Sequence, residues 1–196
     1  MALTKLNNKA VANVTTLPVA LGDMVLVSSA TASSSASIEF SLGNLKEYKF
    51  FFVNIHPQTD GSTFKFNLSS DNGSNYNVVK TTTHFRAYHN EAGTDTSLAY
   101  STAYDLAQSS DDHTLCNGTG GDNDQNISGY FQLFNPSSTT YVKQFIATLN
   151  QAQQSDYTIA HYVAGYANTT SALTNIKFVL PSGNIDAGKI LMFGIN

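Results

Sequence analysis

Five histidines, a single cysteine and a run of aspartates are the residues of this 196-residue chain whose types could do chemistry. His84 and His89 lie five positions apart in one extended run, "KTTTHFRAYHN". Side chains alternate faces along a regular strand, so these two point to opposite sides and cannot share a metal without a bulge. His56, His113 and His161 are scattered along the chain. The spacings HExxH, GxSxG, GxxxxGK(S/T) and GxGxxG are all missing, which removes the commonest zinc-hydrolase, serine-hydrolase and nucleotide signatures. Cys116 sits in a polar, glycine-rich stretch, with His113 the nearest histidine. A nucleophilic pair needs proximity in space, and a structural cysteine is the expectation.

The segment "DDHTLCNGTGGDNDQN" gathers Asp111, Asp112, Asp122 and Asp124. Oxygen-rich loops hold calcium, but no Glu closes a loop of EF-hand length after Asp122, so a solvated loop is expected. No catalytic, cofactor or metal residues are assigned, and the chain is read as a non-enzyme. Tyr76, Tyr88, Tyr100 and Tyr104 lie near polar segments. Clustered in one pocket, such tyrosines would form a carbohydrate-binding platform; dispersed, they are half-buried strand residues.

Apolar residues make up 41% of the chain and charged ones 12%, with a net charge of −4. Ordinary soluble domains carry about 25% charge. A weakly charged surface rich in Ser, Thr and Asn suits repeated packing against protein. With no basic run to neutralise phosphates, nucleic acid is not an expected partner. No apolar stretch approaches the roughly 20 residues of a membrane-spanning helix, so no membrane insertion is expected. Met1 to Val11 lacks an apolar h-region, so no secretory leader is expected.

The elements that would position these side chains are strands. "SIEFSL" alternates Ile38, Phe40 and Leu42 with polar neighbours, and "STFKFNL" alternates Phe64, Phe66 and Leu68. "EYKFFFVNI" is aromatic and β-branched, and does not alternate, so one of Phe50, Phe51 and Phe52 must face outward. Asn72-Gly73 predicts a hairpin turn within 69–76, and Asn135-Pro136 predicts another before "YVKQFIATLNQ". "TSLAYSTAYDLAQ" has the spacing of one short helix. "PSGNIDAG" predicts a hairpin that brings in a last strand, Lys189 to Ile195, as an integral rung of the sheet. Phe40, Phe50, Phe52, Phe64, Phe66, Phe131, Phe145, Phe178 and Phe193 are the expected core.

Eight or nine strands with turn chemistry between them predict an all-β fold, an antiparallel β-sandwich of jelly-roll type. It should occupy residues 38–196. Residues 1–37 contain no aromatic residue and end in a Ser/Ala/Thr run. They are read as an extended N-terminal arm that anchors the domain.

"MALTKLNNKAV", "FVNIHPQTDGSTFKFNLSSDNGSNYN", "NGTGGDNDQNISGYFQLFNPSSTTYVKQF" and "SGNIDAGKILMFGI" resemble small β-rich structural proteins of bacteriophage virions, marine phages especially. The likeness runs through essentially the whole chain and brings no catalytic residues with it. It implies a multi-copy virion component, capsid-decorating or tail-fibre-like, assembled in the host bacterial cytoplasm. Its expected partners are itself, as a homo-oligomer with a trimer as first expectation, and other capsid or tail proteins. The competing expectation is a lectin-like tail-fibre tip that binds a host surface glycan through loops 69–76 and 90–126.

Overall fold

Phenylalanine alternation organises the described part of the chain. The structure is a computed structural model that describes residues 24–195. Its strands are β1 (Val25–Thr31), β2 (Ser37–Ser41), β3 (Glu47–Pro57), β4 (Ser62–Ser69), β5 (Lys80–Asn90), β6 (Thr96–Tyr100), β7 (His113–Thr119), β8 (Ile127–Phe134), β9 (Lys143–Gln153), β10 (Tyr157–Ala167), β11 (Asn175–Val179) and β12 (Ile185–Ile195). Every pairing is antiparallel, and no helix occurs among the described residues.

The twelve strands form one sheet whose main path runs β1-β12-β3-β8-β9-β7-β4-β11-β2. Two narrow seams bring this path close to a barrel. β7 meets β9 only through Thr119 and Gln153, and Ser35, just ahead of β2, bridges to Ile185 of β12. From β9 a wing extends through β10 and β5 to β6.

Phe40, Phe50, Phe52, Phe64, Phe66, Phe131, Phe145 and Phe178 all point inward and are buried. Phe178 lies at their centre, with ring centroids 5.0 Å from Phe52, 5.4 Å from Phe50, 5.9 Å from Phe64, 6.3 Å from Phe131 and 6.4 Å from Phe40. Most of these pairs meet edge to face, the geometry that the ring quadrupole favours. Each buried ring contributes roughly 1.5–3 kcal/mol through removal from water. Phe193 departs from the expected core. Its position on β12 faces outward, and it packs edge-on against Phe51 at 5.6 Å. Phe51 is accordingly the outward-facing ring of the "FFF" run.

Several local expectations change in three dimensions. The sheet begins at Val25, within the segment read as an arm, because β1 pairs with β12 from Val25↔Gly194 to Thr31↔Lys189. The rest of that segment, residues 1–23, lies outside the described residues. Asn72 and Gly73 do adopt left-handed backbone, with φ of 60° and 81°. Yet β4 pairs with β7 and β11 and not with β5, so the turn closes no hairpin. "PSGNIDAG" likewise joins two strands that do not pair: β11 lies between β2 and β4, whereas β12 lies between β1 and β3. Gly188 in it, at φ +113°, forms a bulge where an added Cβ would stand 2.5 Å from the Asn54 carbonyl oxygen. The helix expected at 96–108 is replaced by β6, which pairs with β5 from Phe85↔Tyr100 to His89↔Thr96, followed by turns. The hairpin at Asn135-Pro136 forms as expected between β8 and β9.

Candidate functional site

Lys80, Thr82, His84, Arg86 and Tyr88 share the inner face of β5, since alternate residues of a strand line one face. On β10 the same face carries Tyr157, Ile159, His161 and Val163, in register as Tyr88↔Ile159, Arg86↔His161 and His84↔Val163. β7 packs across this surface. His113 Nδ1 lies 3.2 Å from Thr82 Oγ1, and Asn117 Oδ1 accepts from Arg86 Nη1 at 3.2 Å. At Gly118, with φ +73°, β7 leaves β5 and joins β9 through Thr119. Gln151 holds that end of β7 by accepting from Thr119 Oγ1 at 2.6 Å and donating to the Asn117 carbonyl at 2.5 Å.

Past Arg86 the inner face therefore opens to solvent. The opening is a cleft of about 350 Å³ lined by Arg86, Tyr88, Asp95, Gln153, Ser155, Tyr157 and Ile159. The Tyr88 and Tyr157 rings meet at 5.7 Å and 71°, making an aromatic corner. Tyr157 donates its hydroxyl to Asp95 Oδ2 at 2.9 Å, and that carboxylate holds the phenol proton on and raises its pKa. Asp95 is itself placed by Asn90, whose Oδ1 accepts from the Thr94 and Asp95 amides at 2.9 Å each. The Arg86 guanidinium lies over the rings of Tyr88 at 5.6 Å and Tyr104 at 5.7 Å.

Behind the cleft, His84, His113 and His161 are completely buried. His84 Nε2 and His161 Nδ1 are 3.0 Å apart. Among the described residues, His113 Nε2 and His161 Nε2 have no hydrogen-bond partner, and His84 Nδ1 makes none of normal geometry, with the Thr114 backbone acting on that ring. Burial is the main force that pushes their pKa values down, to about 4 for His84 and about 3 for the other two. Neighbouring charge adds to it: His84 acts on His113 and on His161, followed by Lys80 on His113 and Arg86 on His161, while at His84 the Thr114 backbone pulls the pKa up and Arg86 pulls it down. All three are neutral near pH 7. Thr82 and His113 stand at the spacing of a hydroxyl and its base, but both are sealed from solvent, and Thr82 Oγ1 also accepts from the Leu106 amide at 2.8 Å. Among the described residues no three His, Cys, Asp or Glu side chains converge on a metal position.

Lys80, farther along β5, is pushed down to about 8 by burial, against the pull of Asp112 and Asp111. Its ammonium donates to Asn67 Oδ1 at 2.6 Å and to the Val78 carbonyl at 2.8 Å. Cys116 is buried, which pushes its thiol well above the usual range and disfavours the thiolate. Asp111 and Asp112 precede β7 while Asp122 and Asp124 follow it, so this strand separates the two acidic pairs.

Of the four tyrosines singled out in the sequence, Tyr88 lines the cleft and Tyr104 lies behind it, against Arg86 and 5.3 Å from His84. Tyr76 is elsewhere, donating to Glu39 Oε2 at 2.8 Å. Tyr100 lies on the exposed edge strand β6 and donates to Asp105 Oδ2 at 2.6 Å. Of the two loops considered for recognition, 90–126 supplies Asp95, and 69–76 supplies nothing to the cleft. The sequence reading missed Arg86, Asp95 and Tyr157. One signal was available: Arg86 is the chain's only arginine, set in the middle of an extended run two residues before a tyrosine. No family model matches the chain, and no curated protein matches it.

Proposed function

We propose that this protein is a non-enzymatic structural component of a bacteriophage virion, present in many copies and attached to the capsid or tail through its N-terminal segment. The observation that carries the reading is the edge strand β1. Met24, Val25, Leu26 and Val27 form an apolar run that is 46–51% exposed, and among the described residues β1 pairs on one side only, with β12. An open apolar edge is a template for another strand. The residues that lead into it, 1–23, are the ones proposed to dock on a neighbouring virion protein.

The strand orders support a jelly roll. β2-β11-β4-β7 and β3-β8-β5-β6 are the two four-stranded orders of that fold once the β9–β10 hairpin is taken as an insertion beside β8. The outer face supports self-association. Tyr100, Phe85, Tyr162, Tyr130 and Phe51 fall in one cross-strand row interrupted only by Thr148, and Phe85 stacks on Tyr162 at 4.9 Å. Leu98 nearby is 71% exposed. A partly exposed aromatic row of this kind, with Phe85 and Tyr100 its most exposed members and Leu98 beside it, suits protein contact, here with further copies in a closed ring, a trimer by first expectation.

The test is mass spectrometry of purified particles, paired with a chain that begins at Met24. The full chain is expected in the particle in many copies. The shortened chain should keep a β-type circular dichroism spectrum and fail to enter particles that lack the full-length protein. Absence of the full chain from particles overturns the reading, and normal entry of the shortened chain overturns the anchoring role. A second reading, a glycan-recognising module of a tail fibre, is favoured by one observation: two tyrosines share the cleft with the chain's only arginine.

A further inference from the structure

Resting on that second reading, we propose that the cleft at Arg86, Tyr88, Asp95 and Tyr157 binds a neutral, hydroxyl-rich sugar residue. About 350 Å³ lies at the low end of small-ligand sites, room for a sugar ring and its substituents. The corner of Tyr88 and Tyr157 presents apolar ring surface to the C–H face of a pyranose, with buried Ile159 beside it.

The polar groups complete the match. Arg86 spends one donor on Asn117, and its other N–H groups take no partner among the described residues. Asp95 receives Tyr157 on Oδ2, while Oδ1 accepts nothing there. Gln153 accepts the Ser155 amide on Oε1 at 2.7 Å, which leaves its amide N–H groups as donors. A vicinal diol answers this set, because each hydroxyl both donates and accepts.

Charge decides the class of sugar. One cation and one anion line the cleft, so an acidic sugar loses at Asp95 what it gains at Arg86, whereas a neutral polyol engages both. Each charged group is already held in place, Arg86 by Asn117 and two rings, Asp95 by Asn90, so little ordering is left to do on binding. A single carboxylate lines the cleft, so the carboxylate pair of the usual glycosidase is not set around it, and the site is proposed as a binding site.

The sole arginine makes the test direct, since its guanidinium Nε–H gives one resonance in a ¹⁵N-labelled chain. The purified full-length protein is titrated with glucose, galactose, mannose and N-acetylglucosamine, and in parallel with glucuronic and sialic acids. A saturable millimolar shift of the Arg86 resonance is expected with at least one neutral sugar. Asp95→Asn, at an exposed turn, and Tyr88→Leu should each weaken it about tenfold or more. Thermal melts of both variants check that the fold is kept, and Asp95→Asn preserves the test if Tyr88→Leu fails to fold. An Arg86 resonance unmoved by every neutral sugar overturns the proposal, as does binding confined to the acidic sugars or unchanged in Asp95→Asn. None of these outcomes depends on the presence of the chain in particles, so the virion reading stands or falls separately.

Discussion

Under β3, β4, β8 and β11 the interior is a cluster of phenylalanines; under β5, β7 and β10 the same inward alternation delivers Lys80, Thr82, His84, His113 and His161. The first region is stabilised by apolar area and edge-to-face contacts, and nothing in it needs a partner. The second removes polar groups from water, and among the described residues three imidazole nitrogens make no hydrogen bond of normal geometry in return. An unmet buried polar atom costs about 1–3 kcal/mol. The aromatic half therefore holds the fold together, and the polar half tolerates a cost beside a cleft that combines aromatic rings with both signs of charge. Of the buried polar residues, the three histidines lie next to the candidate site, where a fold is expected to trade stability for a shaped surface.

Acid should separate the two halves most sharply. The three histidines have folded pKa values of about 4, 3 and 3, below the ~6.5 of an unfolded histidine. Between those values the unfolded chain binds the extra protons. Stability is thus fully present above about pH 6.5 and falls as pH drops, by about 1.4 kcal/mol per pH unit for each histidine, flattening only below the folded values. Three together approach about 4 kcal/mol per unit, a loss of about 6 kcal/mol by pH 5 and about 10 kcal/mol by pH 4, enough to exhaust the lower half of the usual range of about 5–15 kcal/mol. Urea midpoints measured from pH 8 to pH 4 check this; a flat profile would show that the histidines are solvated or partnered.

Next in size is Phe178→Ala, which takes the central ring from five phenylalanine neighbours and should cost about 3–5 kcal/mol in chemical denaturation. A cost below about 1 kcal/mol would mean that the aromatic cluster is not the main support. The smallest effect belongs to His113→Leu. It removes an orphaned nitrogen and leaves Thr82 Oγ1 with the Leu106 amide, so stability at pH 7 should change by less than about 1 kcal/mol, in either direction. The acid slope of this variant should fall by about a third, because one of three titrating groups is gone. If His113→Leu cost as much as Phe178→Ala, the contrast between the halves would fail.

Residue type and period were enough for the all-β class, for inward Phe40, Phe64, Phe66 and Phe178, and for the Asn135-Pro136 hairpin, because alternation and turn chemistry act over a few neighbouring residues. They also required one ring of the "FFF" run to face outward. Which strand lies beside which was a different matter. Asn72-Gly73 and the turn at Ser182-Gly183 bend the chain as their chemistry demands, but a turn sets local backbone and not the partner of the strand that follows. Val25–Thr31 reads as part of an extended docking arm until β12 is there to pair with it, and Thr96–Tyr100 reads as a helical turn until β5 supplies its ladder. The cleft needed tertiary structure altogether. Arg86 and Tyr88 come from β5, Asp95 from the next turn, and Tyr157 from a strand about seventy residues later in sequence. Only the β5–β10 register, together with the departure of β7 at Gly118, sets them around one opening. That juxtaposition is a property of long-range pairing, which no local pattern in the chain encodes.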